Sequence, residues 1–128
     1  MSPPTKYMSR ELPQEAQEKV EKLQELQQQL AQISMQKEQS GQELEETESA
    51  LEALNENEGE VYRKVGEVMV QSEKKETIED LEEKKETLEV RVESLERKEK
   101  KAQEKFEDLR EEVRGMLGGL GGGLGGAG

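Results

Sequence analysis

The sequence predicts a mainly α-helical fold: a long antiparallel two-helix coiled coil with one β-hairpin at the bend. Two runs of apolar residues keep a 3-4-3-4 spacing, which places each run in one stripe along a helix that needs a partner helix. Between the two runs lies a short segment with a strand pattern, residues 61–70, which contains four valines and a central glycine. A narrow apolar seam suits a chain with 30% hydrophobic and 2% aromatic residues, which is too few for an ordinary globular core.

The first coiled-coil helix is expected over residues 13–55, after a flexible N-terminal arm at 1–12. Proline is favoured at the first helical position, and Glu15 suits the positive end of the helix dipole. Residues 55–59 end the helix, with Gly59 available for a left-handed cap. The expected seam positions are Leu23, Leu26, Leu30, Ile33, Lys37, Ser40, Leu44, Thr47, Leu51 and Leu54.

The β-hairpin is expected over residues 59–72, with a two-residue turn in which Gly66 takes a positive φ. This turn places Val65 opposite Val68 and Arg63 opposite Val70. Because an isolated two-stranded hairpin is marginally stable, we expect the hairpins of several subunits to assemble into a β-barrel base. The alternative is a hairpin that packs back on its own helices. The expected oligomer-interface residues are Val61, Tyr62, Val65, Gly66, Val68 and Val70.

The second coiled-coil helix is expected over residues 73–114, followed by a flexible Gly/Leu tail at 115–128. Folding the chain at the hairpin gives a single antiparallel register, in which Leu54 lies opposite Ile78, Leu44 opposite Leu88 and Leu23 opposite Leu109. The expected seam positions of this helix are Ile78, Leu81, Lys85, Leu88, Val92, Leu95, Glu99, Ala102, Phe106, Leu109 and Val113.

The composition argues against several classes of function. With a net charge of −12 and basic residues interleaved with glutamates, the chain is a poor candidate for nucleic-acid binding. It contains no His and no Cys, and its many glutamates are predicted to lie on solvated helix faces, so we expect no catalytic residues, metal site or cofactor. No apolar stretch reaches membrane-spanning length, so we expect no membrane partner and a cytoplasmic location.

The sequence resembles the β-type subunits of the archaeal prefoldin family. The resemblance covers roughly residues 13–114 and is carried by residues 23–30, 48–54, 61–66 and 84–97, which read LQELQQQL, ESALEAL, VYRKVG and KKETLEVRVESLER. It implies a hexamer of two α subunits and four β subunits, built on a double β-barrel. It also implies an ATP-independent chaperone that captures unfolded proteins at its coiled-coil tips and delivers them to a group II chaperonin.

The predicted register places both chain termini at the tip of the coiled coil, where partly exposed apolar residues suit non-directional client binding. Burial in the seam explains the same apolar spacing, and that interpretation stays open. A second function also stays open: a coiled-coil spacer or tether that binds one specific partner. The expected client-binding residues are Leu12, Ala16, Val20, Leu23, Leu109, Val113, Met116 and Leu117.

Overall fold

The computed structural model describes residues 13–120 and confirms the predicted fold class. The chain forms helix α1 (Gln14–Glu56), strand β1 (Val61–Val65), strand β2 (Val68–Ser72) and helix α2 (Lys74–Leu120). The described residues divide into two compact units, one containing residues 34–97 and the other containing residues 13–33 and 98–120. Each unit combines a segment of α1 with a segment of α2, and the hairpin belongs to the first. The expected arm at 1–12 and the tail residues 121–128 lie outside the described residues.

The predicted seam is the apolar interior of both units. Every predicted seam position is buried or half-buried, whereas the neighbouring glutamates and glutamines are exposed. The most buried leucine is Leu88, with 2% of its surface exposed. The stripe therefore faces inward along both helices, as the 3-4-3-4 spacing predicts.

Polar residues occupy part of the seam without leaving unsatisfied groups. The Thr47 hydroxyl is buried and donates a hydrogen bond to the Glu43 carbonyl oxygen at 2.7 Å. The Lys85 ammonium group lies 3.9 Å from the Glu48 carboxylate on the other helix. In residues 13–120, no buried side-chain nitrogen or oxygen lacks a hydrogen-bond partner. Such polar layers favour one register over others at some cost in stability.

The end of α1 differs from the expected left-handed cap. Within the described residues, Gly66 is the glycine with a positive φ, so the expectation for Gly59 was wrong. The Asn57 side chain closes this turn instead, because its Oδ1 accepts a hydrogen bond from the Gly59 N–H at 3.0 Å. The Lys74 ammonium group then donates to the Asn57 carbonyl oxygen at 2.6 Å, which joins the end of α1 to the start of α2.

Helix α2 continues past its expected end at Arg114 as far as Leu120. Gly115 and Gly118 therefore lie within the helix, where each glycine is unfavourable by about 1 kcal/mol relative to alanine. The seam spacing continues through this segment, because Met116 follows Val113 by three residues and is half-buried. Within residues 13–120, neither helix contains an apolar stretch of membrane-spanning length.

Candidate functional site: an exposed β-hairpin

The hairpin has the predicted register and turn. Strands β1 and β2 are antiparallel, with Val65 paired to Val68 and Arg63 paired to Val70. Gly66 has φ +63°, while its turn neighbour Glu67 does not have a positive φ, as a type II′ turn requires. A β-carbon at position 66 would meet no other atom within 4 Å, so the glycine is needed for its backbone conformation rather than for space.

Apolar side chains are exposed on both faces of this two-stranded sheet. On one face Val65, Val68 and Val70 are 57%, 60% and 47% exposed. On the other face Tyr62 and Met69 are 51% and 63% exposed. A hairpin that packed back on its own helices would cover at least one face, so the exposure disfavours that alternative. Whether the exposed residues contact other subunits stays a prediction.

The base of the hairpin is attached to the first turns of α2. Val61 is only 6% exposed, so this predicted interface residue is already buried within the subunit. The Ser72 and Thr77 hydroxyl groups are hydrogen bonded at 2.7 Å, and Thr77 also donates to the Glu73 carbonyl oxygen at 2.8 Å. These contacts hold β2 against α2 while the turn end of the hairpin remains exposed.

An ion pair that sequence reasoning missed joins β1 to α2. The Arg63 guanidinium donates a hydrogen bond to the Asp80 carboxylate, and the two residues are 17 positions apart. Arg63 lies on the same face as Val65 because the two are separated by two positions in β1. The sequence alone gives no signal for this pair, because it depends on the hydrogen bond that places Thr77, one helical turn before Asp80, against the base of the hairpin.

Tyr62, on the opposite face, is paired locally. Its hydroxyl group donates a hydrogen bond of 2.6 Å to the Glu60 carboxylate. Because this hydrogen bond needs the neutral, protonated phenol, it raises the pKa of Tyr62 above its ordinary value of 10.0. Desolvation raises the pKa further by a smaller amount. In residues 13–120 no cluster of three His, Cys, Asp or Glu side chains could hold a metal ion.

The unit formed by residues 13–33 and 98–120 contains all the predicted client-binding residues except Leu12, and their exposure varies. Ala16 and Val113 are buried, with 0% and 7% of their surfaces exposed. Leu117 is 41% exposed. The half-buried members are Val20, Leu23, Leu109 and Met116, and Leu12 lies outside the described residues. Client binding by these residues stays a prediction.

An ion pair connects the two helices of this unit. The Lys19 ammonium group lies 2.9 Å from the Glu112 carboxylate and 3.9 Å from Glu15. The hydrogen bond to Glu112 raises the pKa of Lys19 above its ordinary value of 10.5. Lys19 is a half-buried residue four positions before Leu23, so the seam continues toward the N-terminus beyond its predicted first position.

Comparison with known proteins places this architecture in a family. The family described as "Prefoldin subunit" matches residues 17–120. The chain is 47% identical over 49 residues to the prefoldin subunit beta of Thermococcus gammatolerans, covering 38% of this chain and 42% of that protein. It is 39% identical over 62 residues to the prefoldin subunit beta of Methanocella arvoryzae, covering 47% of this chain and 49% of that protein. The matched segments thus span about half the length of these relatives.

A solved structure extends the similarity to nearly the whole fold. The crystal structure of the prefoldin beta subunit from Thermococcus strain KS-1 superposes with a TM-score of 0.76 at 36% sequence identity. The match covers 83% of this chain and 95% of that one. Both proteins have two long helices joined by one hairpin. The fold, the family match and the sequence resemblance agree, and this chain belongs to the prefoldin subunit family.

Proposed function

We propose that the chain is a β-type subunit of an ATP-independent holding chaperone. The observation that carries the proposal is the hairpin, which exposes apolar residues on both faces although its strands and turn are fully formed. A folded but uncovered sheet of this kind is suited to pairing with other strands, because its edges carry unpaired backbone groups. Family membership supports the chaperone role.

The assembly that we propose joins four copies of this chain with two α-type prefoldin subunits through their hairpins. Substituting Val65→Asp tests this interface, because an unpaired carboxylate buried between subunits is costly. Val65 is 57% exposed in the subunit, so the variant should fold normally and fail to form the complex. Light scattering of variant and wild-type mixtures with the α-type subunit measures the result, and an unchanged hexamer would remove the interface hypothesis.

We propose that clients are captured at the ends of the two helices that are remote in sequence from the hairpin. Half-buried and exposed apolar residues lie there next to the buried residues of the seam. Val20, Leu23, Met116 and Leu117 offer partly accessible apolar surface there. Ala16 and Val113 are buried in the subunit, so their participation requires the last layers of the seam to open. Weak contacts from several subunits would add up to useful affinity by multivalency.

Trimming the chain ends tests this location. Deleting residues 115–128 removes Met116 and Leu117 and should reduce holding modestly, because Val20 and Leu23 remain partly accessible. Deleting residues 1–20 and 110–128 together should reduce holding sharply, while the hairpin and its assembly remain. Aggregation suppression by the purified complexes is the measurement, and equal protection by the doubly trimmed complex would place client binding elsewhere.

The tether function predicts a different binding behaviour. A tether binds one partner at a fixed stoichiometry, whereas a holding chaperone suppresses aggregation of unrelated denatured proteins. Assaying three denatured proteins of unrelated sequence separates the two functions. Delivery to a group II chaperonin is the further step that we propose, and transfer of a labelled denatured protein from the assembled complex to that chaperonin measures it.

A further inference from the structure

Arg63 is the charged residue on the valine face of the hairpin. Strand alternation and the observed register place it with Val65, Val68 and Val70, and Val70 is its cross-strand partner. The proposed assembly covers this face with another subunit and removes it from water. A guanidinium group brought into that environment without a counter-charge would be strongly unfavourable.

Asp80 supplies the counter-charge from outside the hairpin. Asp80 lies in the second turn of α2, and its carboxylate accepts the hydrogen bond of Arg63, so the pair is complete before any subunit associates. In the subunit alone the Arg63 and Asp80 side chains are 43% and 50% exposed. An ion pair with that exposure contributes little to the folding of the subunit, because water already solvates both charges.

We propose that the Arg63–Asp80 pair is an assembly element that neutralises the valine face before it is buried. Asp80 acts as a positioning residue, because it holds the guanidinium and cancels its charge without itself belonging to the sheet. The inference rests on the proposed assembly and adds the chemistry of the surface that covers the hairpin. Since Arg63 is already paired within its own subunit, the partner strand opposite it is apolar and needs no Asp or Glu.

Asp80→Asn tests the pair, because it keeps the side-chain size and removes the charge. The subunit should keep its helicity and melting temperature, while the association constant with the α-type subunit falls at least about a hundredfold, as expected when one member of a buried pair is removed. Glu79→Gln is the matched control: it removes the same charge from the neighbouring residue, which is exposed and makes no ion pair among the described residues. Sedimentation velocity on the full chain mixed with the α-type subunit measures both variants.

A double variant separates charge neutralisation from a merely structural role. Replacing both residues, Arg63→Leu with Asp80→Leu, removes the pair and leaves the valine face apolar. Assembly should then stay within about tenfold of the wild type, because an apolar replacement of a buried ion pair is often neutral or favourable. A folded double-leucine variant that does not assemble would show that the pair acts through its geometry, and the inference would be overturned.

The outcome of Val65→Asp distinguishes this inference from the proposed function. If Val65→Asp blocks the complex and Asp80→Asn does not, the hairpin is the interface but the ion pair lies outside it, and the inference fails alone. If Val65→Asp leaves the complex intact, the proposed assembly itself fails.

Discussion

Leu88 in the seam and Val65 in the hairpin are both branched apolar residues of the same compact unit, yet one is 2% exposed and the other 57%. The seam is covered by the chain's own second helix, so its apolar area contributes to the stability of the subunit itself. Within residues 13–120, the valine face of the hairpin is covered only at its base, where Val61 is buried, and its turn end is exposed. The difference indicates that the seam stabilises the subunit, whereas the exposed valines of the hairpin add little to that stability and are accessible for the association that we propose.

Leu88→Ala should produce the largest change, because it removes a buried side chain from the middle of the seam. Leucine-to-alanine substitutions at buried sites typically lower the free energy of unfolding by about 2–5 kcal/mol. Thermal and urea denaturation followed by circular dichroism at 222 nm measures the change. Glu93→Ala is the control, since Glu93 is exposed outside the seam and should change stability by less than about 0.5 kcal/mol. Equal losses in the two variants would mean that the assigned seam is wrong.

Gly66→Ala should act on the hairpin alone. The positive φ of +63° disfavours a residue with a β-carbon by about 1–2 kcal/mol. The strand amides should then exchange with solvent hydrogen about 5–30 times faster, because that factor corresponds to the same free energy. The helical amides of α1 and α2 should keep their exchange rates. If strand and helix amides accelerated together, the hairpin and seam would form one cooperative unit and the contrast between them would disappear.

Gly41→Ala should have the smallest effect, with the opposite sign. Gly41 lies inside α1 and a β-carbon there would contact nothing within 4 Å, so alanine removes the glycine penalty without a clash. The expected gain is about 0.5–1 kcal/mol in the free energy of unfolding. Denaturant unfolding gives the value. A loss of stability would show that this part of α1 requires the conformational freedom of glycine.

The sequence predicted the periodic parts of the fold best, because period and burial are directly related. The seam of both helices and the strand register follow from spacing and from one glycine, and the structure confirms both. The extension of α2 to Leu120 was not predicted, because Gly115 and Gly118 read locally as a helix end. The three-residue step from Val113 to Met116 was the available signal that the seam continues there.

The candidate site was predicted in part. Exposure of the valine face followed from the instability expected of a lone hairpin. The Arg63–Asp80 pair did not follow, because it joins two elements whose relative placement depends on the hairpin base packing against α2. The sequence also could not show whether Ala16 and Val113 are buried in the seam or accessible to clients, because both roles require the same apolar spacing. The structure shows that both residues are buried.

The position of the hairpin between the two helices also predicts the order in which the contacts between the helices form during folding. The Arg63–Asp80 contact closes a loop of 17 residues, whereas the Lys19–Glu112 contact joins residues 93 positions apart. Chain-closure entropy makes the longer loop costlier by about 1.5 kcal/mol if each forms from the unfolded chain. Pairing should therefore begin near the hairpin and proceed layer by layer toward the termini, each layer closing only a short additional loop. Opening follows the reverse order, so the contacts around Lys19 and Glu112 form last in folding and separate first in unfolding.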